Sequence, residues 1–309
     1  MKTAIIGAGI NGLYLAWKLA ERGEKVTVFE KRSKIGKEVC SGLFSERILD
    51  FILPLSSESQ KLIQNQINST LIHFSKKVIS VKFLKKFFVI EHSELDMLMA
   101  GLAQNSGAEI LLNQNVTKTV LERLQERYDK IIGCDGALSE TRRFLGLKNP
   151  DFRLGMQKII PQKDSSSFVE TWAIQKGFLW KIPRGKSVEY GAISPFTKKQ
   201  KKSLFPKYER YALIPQGLII PKNNNITLCG DAAGLTKPWS GGGVIWGLTA
   251  ADILLKNFPD FLKYQKEVKR FFLPKIIFSK ITTKMVYFLG FNIPWILPNK
   301  VKIEGDFLM

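Results

Sequence analysis

Thr3-Ala4-Ile5-Ile6-Gly7-Ala8-Gly9-Ile10-Asn11-Gly12 decides how this chain is read. The first four residues are apolar or β-branched, which predicts a short buried strand. Glycines follow at once. Leu13 to Arg22 then sets Leu13, Ala16, Trp17 and Ala20 at the spacing of one helix face. Gly23 suits a left-handed helix end. Lys25 to Phe29 predicts a second strand, which ends at Glu30. The parts make a βαβ unit. In such a unit Gly7 permits the tight turn, Gly9 lets backbone approach a pyrophosphate, and Gly12 allows close helix–strand contact, with Ala8 and Asn11 completing the turn. The helix start offers N–H groups and partial positive charge to phosphate. Glu30, with Lys31 beside it, lies about twenty residues on, where an acid accepts ribose hydroxyls.

Two further glycine-rich segments stand far downstream. Lys130-Ile131-Ile132 feeds Gly133-Cys134-Asp135-Gly136, followed by Ser139 and Arg142. Ile226 to Leu228 feeds Gly230-Asp231-Ala232-Ala233-Gly234, followed by Pro238, Trp239 and Gly241-Gly242-Gly243. Each is weak alone. In this order the three point to FAD, gripped by segments that close over one extended ligand. Asp231 at a strand end suits sugar hydroxyls, and the three glycines start a helix whose N–H groups suit flavin carbonyls. Only one GxGxxG occurs, so electrons are expected from a diffusing donor rather than from a second bound dinucleotide.

The chain has 309 residues and a formal charge of +20. Its apolar content suits a globular protein of one or two domains, not a disordered one. Cys40, Cys134 and Cys229 lack metal-type spacing, and an odd count does not suggest a disulfide framework. With His73 and His92 as the two histidines, no metal site is expected. No secretory signal is read, and a cytosolic protein is expected. The positive charge, concentrated in part at Lys198-Lys199-Gln200-Lys201-Lys202, suits solvated faces or an anionic partner. No nucleic-acid motif is found, so a membrane surface or lipid phosphate is the better partner.

The fold class expected is α/β (α+β): a Rossmann-like FAD-binding domain, a second mainly antiparallel β-sheet substrate domain, and C-terminal helices. The FAD-binding domain is assigned 1–67, 91–150 and 215–258, the sheet domain 68–90 and 151–214, and the helical tail 259–309. Strands are expected at Thr70–Phe74, Lys77–Leu84, Phe87–Ile90, Ile110–Leu112, Phe168–Ile174 and Val188–Ile193, with helices at Ser93–Gln104, capped by Ser93, and Val244–Leu255. The tail from Phe271 to Pro298 is apolar with interspersed lysines. Its uncharged run is too short and too broken by proline to span a membrane. It suits either a helical pair packed on the substrate domain or an amphipathic helix lying on a surface.

The second and third segments resemble those of the flavoprotein family with the para-hydroxybenzoate hydroxylase fold, where they brace the FAD pyrophosphate and bind the ribityl region. Three more details narrow this: Val39-Cys40-Ser41-Gly42, Gly177-Phe178-Leu179-Trp180-Lys181-Ile182-Pro183, and Thr236-Lys237-Pro238-Trp239-Ser240-Gly241-Gly242-Gly243. Together they resemble the geranylgeranyl reductase family, particularly its archaeal digeranylgeranylglycerophospholipid reductase-like branch. The resemblance covers most of residues 1–250. Ile182 stands where the family has an aromatic residue, and His92 where it usually has arginine; the chain is also shorter than typical members.

The resemblance implies an FAD-dependent reductase that saturates C=C bonds of geranylgeranyl chains in membrane ether lipids or their precursors. It implies a polyprenyl lipid substrate and an external donor, whether ferredoxin, a deazaflavin or NAD(P)H. Cys40, Ser41 and Gly42 are then the catalytic loop, with Cys40 giving a proton, positioning a water or shaping the site. Phe178, Trp180, Pro183 and Trp239 line the substrate pocket, where ring faces stabilise positive character and apolar burial holds the chain. Cys134 and Cys229 read as small strand-end residues. The rivals are a flavin-dependent monooxygenase (hydroxylase) on the same fold and a non-catalytic lipid-binding relative.

Overall fold

A computed structural model describes residues 1–36, 39–52, 61–195 and 208–306. The lysine block at 198–202 lies outside the described residues. Elements run in the order β1 (Lys2–Ile6), α1 (Ile10–Ala20), β2 (Lys25–Phe29), β3 (Leu43–Ser45), α2 (Ile48–Ile52), β4 (Ile63–Phe74), β5 (Lys77–Ile90), α3 (His92–Asn105), β6 (Glu109–Leu111), α4 (Lys118–Arg127), β7 (Lys130–Gly133) and α5 (Glu140–Phe144). Then follow β8 (Asp151–Ile160), β9 (Phe168–Ile174), β10 (Gly177–Pro183), β11 (Val188–Pro195), β12 (Arg210–Gln216), β13 (Ile226–Leu228), α6 (Val244–Asn257), α7 (Phe261–Asn292) and β14 (Lys300–Ile303). They form two compact units: Met1–Glu38, Ser93–Asp151 and Pro215–Ile276 in the first, and Val39–His92, Phe152–Ile214 and Ile277–Met309 in the second.

The first unit is built on a five-stranded parallel sheet in the order β13-β7-β1-β2-β6. Parallel strands of this kind bury both faces, which explains their unbroken apolar runs. On one face Ala4, Ile6, Ile131 and Ile226 pack on Val116 and on Leu121 and Leu124 of α4. Elsewhere α1 is tied to α6 by the Tyr14 hydroxyl, which donates to Asp252 Oδ1 at 2.6 Å. The chain leaves β1 towards β2 on one side and lies against β7 on the other. The strand order therefore reverses at β1, the position where open α/β sheets bind ligands.

The second unit is a mostly antiparallel nine-stranded sheet, β12-β8-β11-β10-β9-β4-β5-β14, with β3 on β5. Two pairings are parallel: β4 with β9 and β14 with β5. One cluster joins Ile67, Phe87, Val89, Val169 and Ile182, with Trp180 packed against it. Another joins Phe74, Ile79, Val81 and Leu297 and receives Val286, Leu289 and Phe291 of α7.

Several boundaries differ from the sequence expectation. Residues 39–52 and 61–67 pack in the second unit, because β3 pairs β5 and β4 begins at Ile63. The expected strands Lys77–Leu84 and Phe87–Ile90 are one continuous strand, with a register shift against β4 between the Ile67–Phe87 and Ser69–Lys82 pairs. The helix expected from Ser93 begins at His92, so Ser93 lies inside it rather than capping it. The tail is not a helical pair. It is one helix, Phe261–Asn292, that accommodates Pro274 internally. Strand β14 had no counterpart in the sequence reading. The assigned tail 259–309 divides between the units after Ile276.

Candidate functional site

The three glycine-rich segments emerge from the carboxyl ends of three neighbouring parallel strands. Register pairs Ile6 with Gly133 and Gly133 with Leu228. Beyond those pairs the ladder continues: Cys134 N–H donates to Ile6 O at 2.8 Å and Cys229 N–H to Gly133 O at 2.9 Å. Residues more than ninety positions apart in sequence thus share one edge of one sheet.

The glycines of the first segment divide by function. At Gly7, whose φ is +100°, a Cβ would stand 2.6 Å from Cys134 O. At Gly12 it would stand 2.1 Å from Gly7 O. Both are therefore compulsory for the turn to close. At Gly9 a Cβ would meet nothing within 4 Å. The open space lies at the start of α1, which has no side-chain cap and no acid in its first turn. Helix α6 likewise starts at Gly243 without a side-chain cap or an acid. Uncapped N–H groups facing open space suit an anionic pyrophosphate. Asn11 is wedged between Gly230 and Gly247, where a Cβ would fall 2.3 and 2.6 Å from its amide, and its Oδ1 is buried without a hydrogen-bond partner.

Glu30 is buried at the end of β2. Its Oε2 accepts Ala8 N–H at 2.8 Å and its Oε1 accepts Arg32 N–H at 3.0 Å. Each oxygen keeps a lone pair for a ribose hydroxyl. Lys31 beside it is exposed. These features fit a dinucleotide held across the ends of β1 and β2.

The second segment has a more structural role than its motif suggests. Asp135 accepts from Ser139 Oγ at 2.6 Å and from Thr141 N and Oγ1 at 2.9 and 3.1 Å, so it caps the short helix α5. Gly136 stands at φ +81° with open space at its Cβ position. Arg142 is fully buried. Its Nη1 donates to Ala232 O at 2.8 Å, and its Nη2 donates to Ala137 O at 2.7 Å and Asn149 Oδ1 at 2.9 Å. The Nε also reaches Asn149 Oδ1, at 3.3 Å. Arg142 is thus a brace between the second and third segments, with its donors spent on protein oxygens. Burial lowers its pKa, with Asp135 pulling the other way.

In the third segment Gly230 and Asp231 begin a single 3-10 turn that ends at Gly234 in a left-handed conformation. The loop that follows closes on itself: Gly241 N–H donates to Lys237 O at 2.8 Å, and Lys237 N–H donates to Gly242 O at 3.0 Å. A Cβ at Gly243 would stand 2.9 Å from Asp231 Oδ1. Trp239 meets the buried Trp246 edge-on at 6.2 Å. Cys134 and Cys229 sit side by side on their strand ends. Their mutual hydrogen bond and burial raise the Cys134 thiol pKa, so it stays protonated, as strand-end packing requires.

The catalytic and remaining substrate candidates lie in the second unit. Gly42 stands at φ +65°, and a Cβ there would fall 2.0 Å from Ile90 O, so the Cys40-Ser41-Gly42 loop needs this glycine. Gly42 N–H donates to Cys40 Sγ at 3.4 Å. Phe178 and Trp180 are neighbours on one face of β10, with ring centroids 5.8 Å apart. The Trp180 ring lies over Gly191 of β11, where a Cβ would come within 2.1 Å of it. Pro183 is buried, and its carbonyl accepts from Asn65 Nδ2 at 2.9 Å. His92 is also buried, edge-on to Phe44 at 5.6 Å.

A network not read from the sequence links the loop to the aromatic strand. Arg184 Nη1 donates to Ser41 O and to Glu189 Oε2, both at 2.8 Å. Its Nη2 donates to Glu91 Oε2 at 3.0 Å and its Nε to Gln64 Oε1 at 3.0 Å. Trp180 Nε1 donates to Glu189 Oε1 at 2.9 Å. One guanidinium therefore fixes both the backbone beside Cys40 and, through Glu189, the indole of Trp180. Complete burial pushes Glu189 up to about 7, against the opposing pull of Arg184 and the Trp180 hydrogen bond. The available signal was an acid inside the apolar strand Val188–Pro195, with an arginine just after Pro183.

Comparison with known proteins agrees with this geometry. Residues 5–49 match the NAD(P)-binding Rossmann-like domain family. The fold and its strand-end segments define a flavin-dependent oxidoreductase. Within that class the chain is similar to archaeal digeranylgeranylglycerophospholipid reductases. The one from Methanococcus vannielii is 25% identical, with 82% of this chain and 76% of the relative covered. Among solved structures, a geranylgeranyl bacteriochlorophyll reductase-like protein from Thermoplasma acidophilum superposes with a TM-score of 0.73 at 20% identity, covering 93% of this chain and 87% of that one. The myxobacterial chondrochloren halogenase CndH, an FAD-dependent halogenase, gives 0.69 at 14% identity, covering 93% and 82%.

Three outcomes test this assignment of roles. Gly9→Ala meets no protein atom, so thermal stability of the apoprotein stays within about 0.5 kcal/mol of wild type, while flavin retained through gel filtration is lost. Arg142→Met removes a fully buried guanidinium and its hydrogen bonds to three carbonyl-type acceptors, the Ala232 carbonyl buried among them, and costs about 3 kcal/mol or more in urea denaturation. Glu189 gives a pH signature. Between its ordinary value of 4.5 and about 7 the folded chain alone holds the proton. Stability from this group is therefore full below 4.5 and is lost as pH rises towards 7. Relative to Glu189→Gln, wild type should lose unfolding free energy across that window.

Proposed function

We propose that this chain is an FAD-dependent reductase that saturates carbon–carbon double bonds of geranylgeranyl chains in ether lipids or their precursors. The supporting observation is the pairing of two features. One is a glycine-lined strand edge in the first unit that fits a dinucleotide. The other is a cysteine loop in the second unit, locked by Arg184 to an aromatic strand. The names of the archaeal relatives supply the substrate class.

A reduced flavin, held by Glu30 and the start of α1, would supply hydride chemistry for one alkene carbon. This chain's own residues deal with the rest. Glu30 and the start of α1 hold the ribose and pyrophosphate. Phe178 and Trp180 bind the polyprenyl chain by apolar burial and face positive character at the second carbon with their rings. The Cys40 Sγ delivers the proton to that second carbon, directly or through a water, and is reprotonated from solvent. Hydride and proton together add one pair of hydrogens per bond. Arg184 keeps the loop fixed through the Ser41 carbonyl, so the proton donor does not drift during the reaction. The electrons come from an external donor: ferredoxin, a deazaflavin or NAD(P)H.

Anaerobic incubation of the dithionite-reduced holoprotein with digeranylgeranylglyceryl phosphate is expected to yield product heavier by successive pairs of hydrogens in mass spectrometry. Cys40→Ala should lower that turnover by about 10²–10⁴-fold, the usual worth of a positioned proton donor, with flavin content unchanged. Oxygen-dependent hydroxylation of an added aromatic, with no saturation of the lipid, would instead identify a monooxygenase. Purified protein unable to bind flavin would identify a lipid-binding relative.

A further inference from the structure

The carboxyl-terminal half of α7 has two faces with opposite fates. One face is fully used. Val286, Leu289 and Phe291 pack on the cluster around Phe74. Gly290 lies on the Phe74 ring so closely that a Cβ would fall 2.2 Å from it. The Tyr287 hydroxyl donates to Gly177 O at 2.9 Å. The opposite face carries Ile277, Phe278, Ile281, Met285 and Phe288, spaced to fall on one stripe of a helix. Each is 54–61% exposed. The stripe continues past the helix end into Trp295 at 74% and Ile296 at 60%. Single exposed apolar residues are ordinary, but a continuous set of this size marks an interaction surface.

The charges around the stripe identify what it meets. From Ile277 to Ile303 the sequence has no Asp or Glu, and it has Lys280, Lys284, Lys300 and Lys302, all exposed. The acids that follow, Glu304 and Asp306, are buried and engaged by Arg47. An apolar stripe rimmed only by lysines is the pattern of a helix lying in the plane of an anionic bilayer. Its side chains enter the acyl boundary and its lysines reach back to the headgroups. Trp295 at the helix end suits the headgroup level. A second copy of the same face would bring lysines against lysines, which favours the bilayer over self-pairing. Among the described residues no helix is long and apolar enough to cross a membrane.

We propose that the Ile277–Phe288 stripe with Trp295 and Ile296 is a membrane-docking surface for an anionic lipid bilayer. This surface is independent of the reaction assigned above, because it rests on residues outside the cofactor and substrate groups. The test is cosedimentation of the holoprotein with vesicles of phosphatidylcholine alone or mixed equally with phosphatidylglycerol. Binding to the mixed vesicles is expected, with weakening as salt rises. The double variant Ile281→Glu/Phe288→Glu should lose binding by at least about tenfold, and Lys280→Glu/Lys284→Glu should lose the preference for anionic lipid. All four positions are exposed, so melting curves and flavin content should match wild type. As a readout that needs no helix variant, lipids brominated in their acyl chains should quench a fluorescence component that Trp295→Phe removes. Absence of wild-type binding to mixed vesicles would overturn the proposal. So would full binding by Ile281→Glu/Phe288→Glu, or a concentration-dependent dimer that this variant abolishes without any vesicle binding in wild type.

Discussion

Everything in the first unit depends on one constraint: three parallel strands must end level and turn away without side chains in the seam. The seam is tight. A Cβ at Gly133 would stand 2.7 Å from the side chain of Thr141, just as those at Gly7 and Gly12 would strike backbone. Hydrogen bonds from Cys134 to Ile6 and from Cys229 to Gly133 hold the strand ends in step beyond the last regular pairing. Arg142 then locks the second turn to the third through Ala232 O. Steric necessity thus accounts for most of these glycines, and the ones left over are informative. A Cβ added at Gly9 or Gly136 would meet no protein atom within 4 Å, which leaves space there for something that is not protein.

The second unit applies the same economy to a different end. Gly42 against Ile90, Gly177 against Ile193 and Gly191 under Trp180 are places where backbone or ring takes the volume of a missing side chain. What results is a rigid presentation of the Cys40 loop and the Trp180 strand, joined by Arg184. A buried guanidinium with a buried carboxylate is costly unless each is fully hydrogen-bonded. Here Arg184 reaches Ser41, Gln64, Glu91 and Glu189, and Glu189 takes its second hydrogen bond from the indole. Such a network specifies geometry more than it adds stability, which is appropriate next to a proposed proton donor.

The parts legible in sequence are those governed by short-range rules. The βαβ unit was readable because strand, glycines, helix and Glu30 are contiguous, and β2, β9 and β13 fall on their expected residues. The order of the three glycine segments predicts that they meet, and they leave neighbouring strands of one sheet, since turn chemistry survives without knowledge of the sheet. What could not be read depends on distant partners. Lys85 and Lys86 look like a break between strands, yet β5 runs through them and takes up the irregularity as a register shift against β4. Pro274 looks like a helix stop, yet α7 passes through it, held by packing such as that of Phe272 and Ile276. Arg142 is expected beside the cofactor, and its role as a brace between two segments could not be read, because Ala137, Asn149 and Ala232 converge on it only in three dimensions. Arg184 carries no motif at all.

The pairing of Lys300–Ile303 with Ser80–Phe83 has a consequence for how the polypeptide is made. A ribosome releases β14 long after β5, so the N–H and C=O groups of Ser80–Phe83 that face β14 wait for their strand partner while the intervening chain is made. An unpaired ladder beside Val78, Val81 and Phe83 invites adhesion between nascent chains. The lysines at 77, 82, 85 and 86 then serve as electrostatic guards during that wait. Pairing with β14 then covers that stretch of β5 and ends the wait.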